Sequence, residues 1–309
     1  MNNPSLLDHA VETMEVGSKS FATASKLFDT KTRRSVLMLY SWCRHCDDVI
    51  DDQQLGFASD IVSLQTPEQR LAQLEVKTRQ AYAGSQMHEP AFAAFQEVAM
   101  AHDILPAYAF DHLEGFAMDV REVRYETFDD TLRYCYHVAG VVGLMMAQIM
   151  GVRDAATLDR ACDLGLAFQL TNIARDIVDD AQVGRCYLPE QWLQQVGLNG
   201  INYAAPENRQ ALSRVARRLV KEAEPYYHSA TAGLAGLPLR SAWAIATAKG
   251  VYRKIGDKVN QAGKKAWDRR QSTSKPEKLA LLVSASGQAV MSRMMTSPPR
   301  PAHLWQRPH

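Results

Sequence analysis

Two stretches of the chain gather oxygen ligands at helical spacing. Residues 39–52 read LYSWCRHCDDVIDD and place Asp47, Asp48, Asp51 and Asp52 within six positions. Asp47 and Asp51 are four apart and share a helix face; Tyr40, Arg44, Asp47 and Asp51 form one stripe stepping by four, three and four. Residues 169–180 read QLTNIARDIVDD. There Leu166, Leu170, Ile173 and Ile177 make an apolar seam. Gln169, Asn172, Asp176 and Asp180 border that seam about a quarter turn away, where they can line a cavity. Carboxylates four apart repel by a few tenths of a kcal/mol per pair, and burial worsens this. Such clusters at a core border ask for cations. All the candidate ligands are oxygens, the donor set of hard ions such as Mg2+ or Mn2+ rather than zinc. Mg2+ completes its shell with waters and substrate phosphates, so two facing clusters can hold a diphosphate through bridging metals.

Plainer readings compete with this one. A single DxxxD on a helix is ordinarily a solvated face. Arg44 and Arg175 would then be surface ion-pair partners worth about 0–1 kcal/mol. Two clusters, each with apolar neighbours and an accompanying arginine, outweigh that reading. Cys43 and Cys46 form a CxxC, but no second CxxC or nearby HxxxH completes a zinc site, so both read as small buried helix residues. The five cysteines of the chain are too sparse and odd in number for a disulfide framework. No GxGxxG dinucleotide fingerprint is present.

The elements that carry these stripes read as helices throughout. The 309 residues are 46% hydrophobic and 22% charged, enough for a sizeable core. Apolar residues recur at helix period, strand-like alternation is missing, and no solenoid repeat is visible. Pro67, Pro90, Pro106, Pro189, Pro206, Pro225, Pro238 and Pro276 fall near expected helix starts or loops, predicting roughly eight to ten helices. One all-α domain is expected over residues 1–295. Residues 296–309, with Pro298, Pro299, Pro301 and Pro308, are expected to be a disordered tail. A net charge of +1 and no basic run with interleaved aromatics argue against a nucleic-acid partner. The N-terminus lacks the pattern of a signal peptide, and the most apolar stretch, 138–151, is shorter than the roughly 20 residues of a span. A cytoplasmic protein is expected, touching a membrane surface if its substrate or product is a lipid. Val215, Leu219 and Val220 among Arg217, Arg218 and Lys221 could make such a contact, though an ordinary surface helix carries the same pattern.

The ordered set of motifs resembles the squalene/phytoene synthase family over roughly residues 15–285. It comprises GSKSF at 17–21, YSWCRHCDDVIDD at 40–52, DVREVRY at 119–125, YCYHVAGVVG at 134–143, QLTNIARDIVDD at 169–180 and GRCYLP at 184–189. DDxxD alone is shared with other prenyltransferases and terpene cyclases; the flanking segments make the resemblance specific. It implies a single helical bundle of the isoprenoid synthase type around a deep central cavity. It also implies a carotenoid-pathway prenyltransferase. Two geranylgeranyl diphosphate molecules would condense head to head (1'-1) through prephytoene diphosphate to phytoene, with Mg2+ or Mn2+ and without NADPH. By the same resemblance Asp47, Asp51, Asn172, Asp176 and Asp180 would hold metal. Asp47, Asp51, Asp176, Asp180, Arg44 and Tyr134 would serve catalysis. Ser18, Lys19, Ser20, Phe21, Tyr40, Arg44, Gln169, Asn172, Tyr252 and Arg270 would contact substrate. Gly17 stands where some relatives carry a histidine, so no phosphate contact comes from that side chain. Asp119 stays open between a metal role and a helix-orienting one. Contacts with neighbouring carotenoid-pathway enzymes, and with a membrane surface for product release, are expected partners.

Two alternatives stand beside this. A dehydrosqualene or squalene synthase acting on farnesyl diphosphate shares the first step and differs in cavity length or in a final hydride transfer. A non-catalytic helical protein that binds a cation or an isoprenoid would be expected to have lost some of Arg44, Gln169, Asn172 and the aspartates, all of which are intact.

Overall fold

The computed structural model describes residues 4–54, 57–58, 64–200, 202–294 and 296–308. Among them are thirteen α-helices: α1 (Pro4–Gly17), α2 (Lys19–Ser25), α3 (Thr30–Asp51), α4 (Pro67–Tyr82), α5 (Pro90–His102), α6 (Pro106–Val120), α7 (Phe128–Cys135), α8 (Val141–Ile149), α9 (Ala155–Gln182), α10 (Glu190–Gln195), α11 (Arg209–Gly233), α12 (Leu239–Ala262) and α13 (Lys275–Met291). The one short sheet pairs β1 (Gln53–Gln54) antiparallel with β2 (Phe57–Ala58). The all-α expectation holds.

Local chemistry sets the ends of the helices that matter most. α3 starts where the Asp29 carboxylate accepts from the Lys31 and Thr32 amides at 3.1 and 3.0 Å. It stops at Asp52, whose φ of 54° is left-handed. α9 starts where Asp154 accepts from the Thr157 amide at 2.8 Å. Pro67, Pro90 and Pro106 open α4, α5 and α6, where a missing N–H costs nothing. Pro225 differs from expectation and lies inside α11. Its neighbours Ala223, Tyr226 and Tyr227 are buried, and their packing outweighs a break worth about 3 kcal/mol. There are more helices than the eight to ten expected because small local features split longer runs. Ser18 caps α2 by accepting from the Phe21 amide at 3.2 Å. A five-residue π-helical segment, Tyr136–Gly140, separates α7 from α8.

α9 is the axis of the bundle, packed against α11 and α12 on one side and the π segment and α8 on the other. Glycine makes the second approach possible. A Cβ on Gly143 would collide with the Ala161 carbonyl, and one on Gly165 with the Ala139 carbonyl. α3 packs on α1 and α5. Trp42 of α3 is fully buried and stacks on Phe95 of α5, with ring centroids 4.0 Å apart. Val215, Leu219 and Val220 are buried against the core, so that face of α11 is a packing face and not a membrane contact. Among the described residues no helix is long and apolar enough to cross a membrane.

The chain's end corrects the expected disorder. Arg300 donates to the carboxylate of the fully buried Asp163 at 2.9 and 2.8 Å. Arg307 donates to Asp159 at 2.7 Å, and Leu304 is 3% exposed. Composition alone read these prolines and polar residues as unable to bury a core. The cationic and aromatic side chains between them instead dock on α9 and α11.

Candidate active site

The helix faces that carry the two acidic stripes meet across one cavity of about 1040 Å³. α3 contributes Tyr40, Arg44, Asp47 and Asp51; α9 contributes Gln169, Asn172, Asp176 and Asp180. Ser18, Phe21, Tyr134, Tyr252 and Arg270 line the same cavity. The side chains of Lys19 and Ser20, expected at the phosphates, lie outside what is described. Away from the acidic mouth the wall turns apolar and aromatic through Phe116, Val138, Val142, Leu164 and Phe168. Phe168 stacks on Tyr252 at 4.2 Å, and Phe21 lies 6.2 Å from Tyr40.

Arginines hold the acidic mouth together. Arg44 donates to Asp48 at 3.0 and 2.7 Å and lies 2.9 Å from Asp47. Arg175 donates to Asp176 at 2.7 and 2.5 Å, and Arg270 reaches the same carboxylate at 2.9 Å. Arg185 forms a two-pronged pair with Asp51. Arg44, Arg175 and Arg185 make partly buried pairs rather than the surface ones of the plain reading, while Arg270 reaches in from an exposed position. Despite them, burial pushes the Asp47 carboxyl up to about 6, with Arg44 opposing and Asp51 adding to the shift. Burial and then the neighbouring Asp176 push Asp180 up to about 7.

Asp119 has a positioning geometry. It accepts from the Tyr187 hydroxyl at 3.0 Å and the Tyr134 hydroxyl at 3.3 Å. Those two rings stack with centroids 4.3 Å apart. Burial pushes Asp119 up to about 6. Arg185 and Tyr187 were legible only as members of the 184–189 segment, since nothing in helical spacing shows that this loop folds back over α3. Asp48 reads in sequence like its neighbour Asp47, yet it is 8% exposed and engaged by Arg44.

The donor set fits a divalent cation that shares its shell with a ligand. The Asn172 amide donates to Gln169 Oε1 at 3.3 Å, while its buried Oδ1 has no hydrogen-bond partner. A buried carbonyl oxygen left unpaired at a cavity wall is a vacant hard-ligand position. Carboxyls raised by burial and mutual repulsion, such as Asp47 and Asp180, are ones that a cation would ionise. Among the described residues no three His, Cys, Asp or Glu side chains converge into an all-protein metal cage.

A helical bundle with two aspartate-bearing helices over one deep cavity defines the class of isoprenoid-diphosphate-processing folds. A family model for squalene/phytoene synthase matches residues 14–277, and the chain belongs to that family. It is 84% identical over 308 residues to a 15-cis-phytoene synthase of Pantoea ananas, covering 100% of both chains. It is 67% identical over 308 residues, again 100% of both, to a phytoene synthase of Pseudescherichia vulneris. Among solved structures it is similar to a dehydrosqualene synthase in complex with ligand, with a TM-score of 0.80 and 27% identity over 93% of this chain and 97% of the other.

Proposed function

We propose that this chain is a phytoene synthase that joins two molecules of geranylgeranyl diphosphate head to head and releases two diphosphates. The observation that carries the reading is one cavity with an acidic, arginine-braced mouth and an apolar aromatic interior. It is supported by 84% identity to a relative named for 15-cis-phytoene, which makes that isomer the proposed product. Farnesyl-based chemistry is less favoured, since the dehydrosqualene synthase neighbour is 27% identical.

Asp47, Asp51, Asn172, Asp176 and Asp180 would hold Mg2+ or Mn2+. Bound there, the metal would neutralise charge developing on a leaving diphosphate. Arg44 and Arg270 sit beside those carboxylates and would take phosphate oxygens freed from water. Ser18, Lys19 and Ser20 would complete the phosphate contacts and Gln169 would orient Asn172. In the first half-reaction the donor's C1–O bond breaks and its electron pair leaves with diphosphate. The acceptor's 2,3 double bond attacks the allylic cation, and loss of a proton closes the cyclopropane of prephytoene diphosphate. In the second, the other C1–O bond breaks, the cyclopropylcarbinyl cation rearranges to the 1'-1 link, and a second proton is lost. The sum is two diphosphates and two protons with no net electron transfer, so no NADPH is called for. Phe21, Tyr40, Tyr134 and Tyr252 would face the cations, and the apolar part of the wall would keep water from them.

The test is incubation of the protein with geranylgeranyl diphosphate and Mg2+, with and without NADPH, and identification of the hydrocarbon. Phytoene in both arms is expected. A product formed only with NADPH, or no hydrocarbon at all, overturns the reading.

A further inference from the structure

The cavity follows α9 almost from end to end. Its wall takes Asp180, Asp176 and Asn172 near one end of the helix, then Phe168 and Leu164, and finally Arg160 and Thr157 at the other. Arg160 is 7% exposed, yet it lies at an apolar end. Its stem crosses Gly233, where an added Cβ would come within 2.9 Å of Arg160 Cβ. Its head is turned away from the cavity. It donates to the Ser229 carbonyl at 3.0 Å and to the Pro298 carbonyl.

Behind that stem is a second cavity of about 450 Å³, lined by Ser297, Pro298, Pro299 and Arg300 from the chain's end. Thr157, Arg160 and Gly233 line both cavities. Arg160, with Thr157 and Gly233, therefore forms the partition between them, and the strap of residues 297–307 holds the Arg160 head through the Pro298 carbonyl. The strap is itself fastened through Arg300 on Asp163, Arg307 on Asp159, and the Trp305 amide donating to the Tyr226 hydroxyl at 3.3 Å.

The spacing suits a ruler. Arg160 lies twelve and sixteen residues before Asn172 and Asp176, about 18–24 Å of rise along a straight helix. The sixteen main-chain carbons of a geranylgeranyl group, with bonds of about 1.5 Å in a zigzag, extend to about 20 Å. We infer that Arg160, clamped by the C-terminal strap, is the end wall of the prenyl cavity and sets the length of chain that the enzyme accepts. The inference rests on the diphosphate-mouth reading above and adds the residue that terminates the other end.

Arg160→Ala tests it and leaves the strap's fastenings through Arg300, Arg307 and Trp305 in place. The local cluster holds three cations, Arg160, Arg300 and Arg307, against Asp159 and Asp163, so losing one cation leaves it balanced. Full-length wild type and variant compete allylic diphosphates of 15, 20 and 25 carbons in the presence of Mg2+. Arg160→Ala should raise kcat/KM for the 25-carbon substrate relative to the 20-carbon one at least tenfold. Arg160→Met, which keeps the stem and loses the guanidinium, should move that ratio less than threefold. Ala161→Leu, one residue on and also lining the large cavity, fills the same end independently of the strap. It should raise the 15-carbon over 20-carbon ratio at least tenfold. A loss of rate equal for all lengths in Arg160→Ala, or, should that variant not fold, an unmoved ratio in Ala161→Leu, overturns the inference. A wild type that prefers 15 carbons would instead sink the substrate proposal. The end wall would then be judged by whether Arg160→Ala lengthens the preferred chain by one isoprene unit.

Discussion

Arg185 grips the carboxylate of Asp51 across 134 residues of sequence. The pair ties the loop after α9 to the end of α3, so the two acid-bearing helices are joined at the mouth by a cation that also faces Asp119 and Asp180. Arg185→Ala should leave Asp51 half-buried without its partner and free the Tyr187 side of the mouth. We expect a loss of about 1–3 kcal/mol in unfolding free energy and a fall in kcat larger than the rise in KM. Arg185→Lys, which keeps the charge and loses the two-pronged geometry, should recover most of the stability and little of the rate. Denaturant unfolding and steady-state kinetics read both; equal stability in wild type and Arg185→Ala would show the pair to be incidental.

The aspartates proposed to hold the metal should separate rate from stability. Asp47→Asn, Asp176→Asn and Asp180→Asn should each cost several orders of magnitude in turnover, since charge stabilisation of a leaving group is worth several kcal/mol. Their stabilities should diverge. Arg44 keeps Asp48 when Asp47 is neutralised, so that variant should melt like the wild type. Arg175 is 14% exposed and depends on Asp176, so Asp176→Asn should lose about 1–3 kcal/mol. Calorimetry of the metal-free proteins distinguishes the two, and near-normal turnover in any of the three would return these aspartates to a solvated face.

Stability of the metal-free protein should depend on pH through Asp180. Its folded value of about 7 lies above the ordinary 3.8, so the folded state holds the proton more tightly than the unfolded chain does. The associated stability is present below about pH 4 and is lost as pH rises through about 7. Asp180→Asn has no such proton. The two proteins should melt together near pH 4, and the variant should melt higher by a few degrees at pH 8, at about 2–4 °C per kcal/mol. Melting curves that stay parallel from pH 4 to 8 would count against a buried, crowded Asp180.

Turnover should require a divalent cation and no reductant. Excess EDTA should abolish hydrocarbon formation, Mg2+ or Mn2+ should restore it, and zinc should restore it poorly with an all-oxygen ligand set. Full activity in EDTA contradicts the assignment of Asn172 Oδ1 and the aspartates as ligands.

Much of this site was legible because helical spacing is local. Asp47 and Asp51, or Asn172, Asp176 and Asp180, must share faces wherever their helices lie. Partners brought by loops were not legible. Arg185 follows Gly184, whose φ of 77° turns the chain back toward α3, and no periodicity forecasts where such a turn leads. Asp48 shows the limit within one helix, because only the fold reveals that Arg44 engages it as well as Asp47. The tail misled because composition counts prolines and ignores that Arg300 meets a buried carboxylate.

The seam of the π segment and α8 on α9 has a consequence for how this enzyme could be altered. Carbonyl oxygens of the facing helical segment, from Ala161 and Ala139, occupy the space where a methyl on Gly143 or Gly165 would go. Backbone atoms have no rotamer to swing aside, so the two rods must part. Because α9 walls the cavity along its length, parting them changes the bore as well as the stability of the bundle. The smallest possible edits, made at positions that need touch no reacting carbon, would act as calibre mutations.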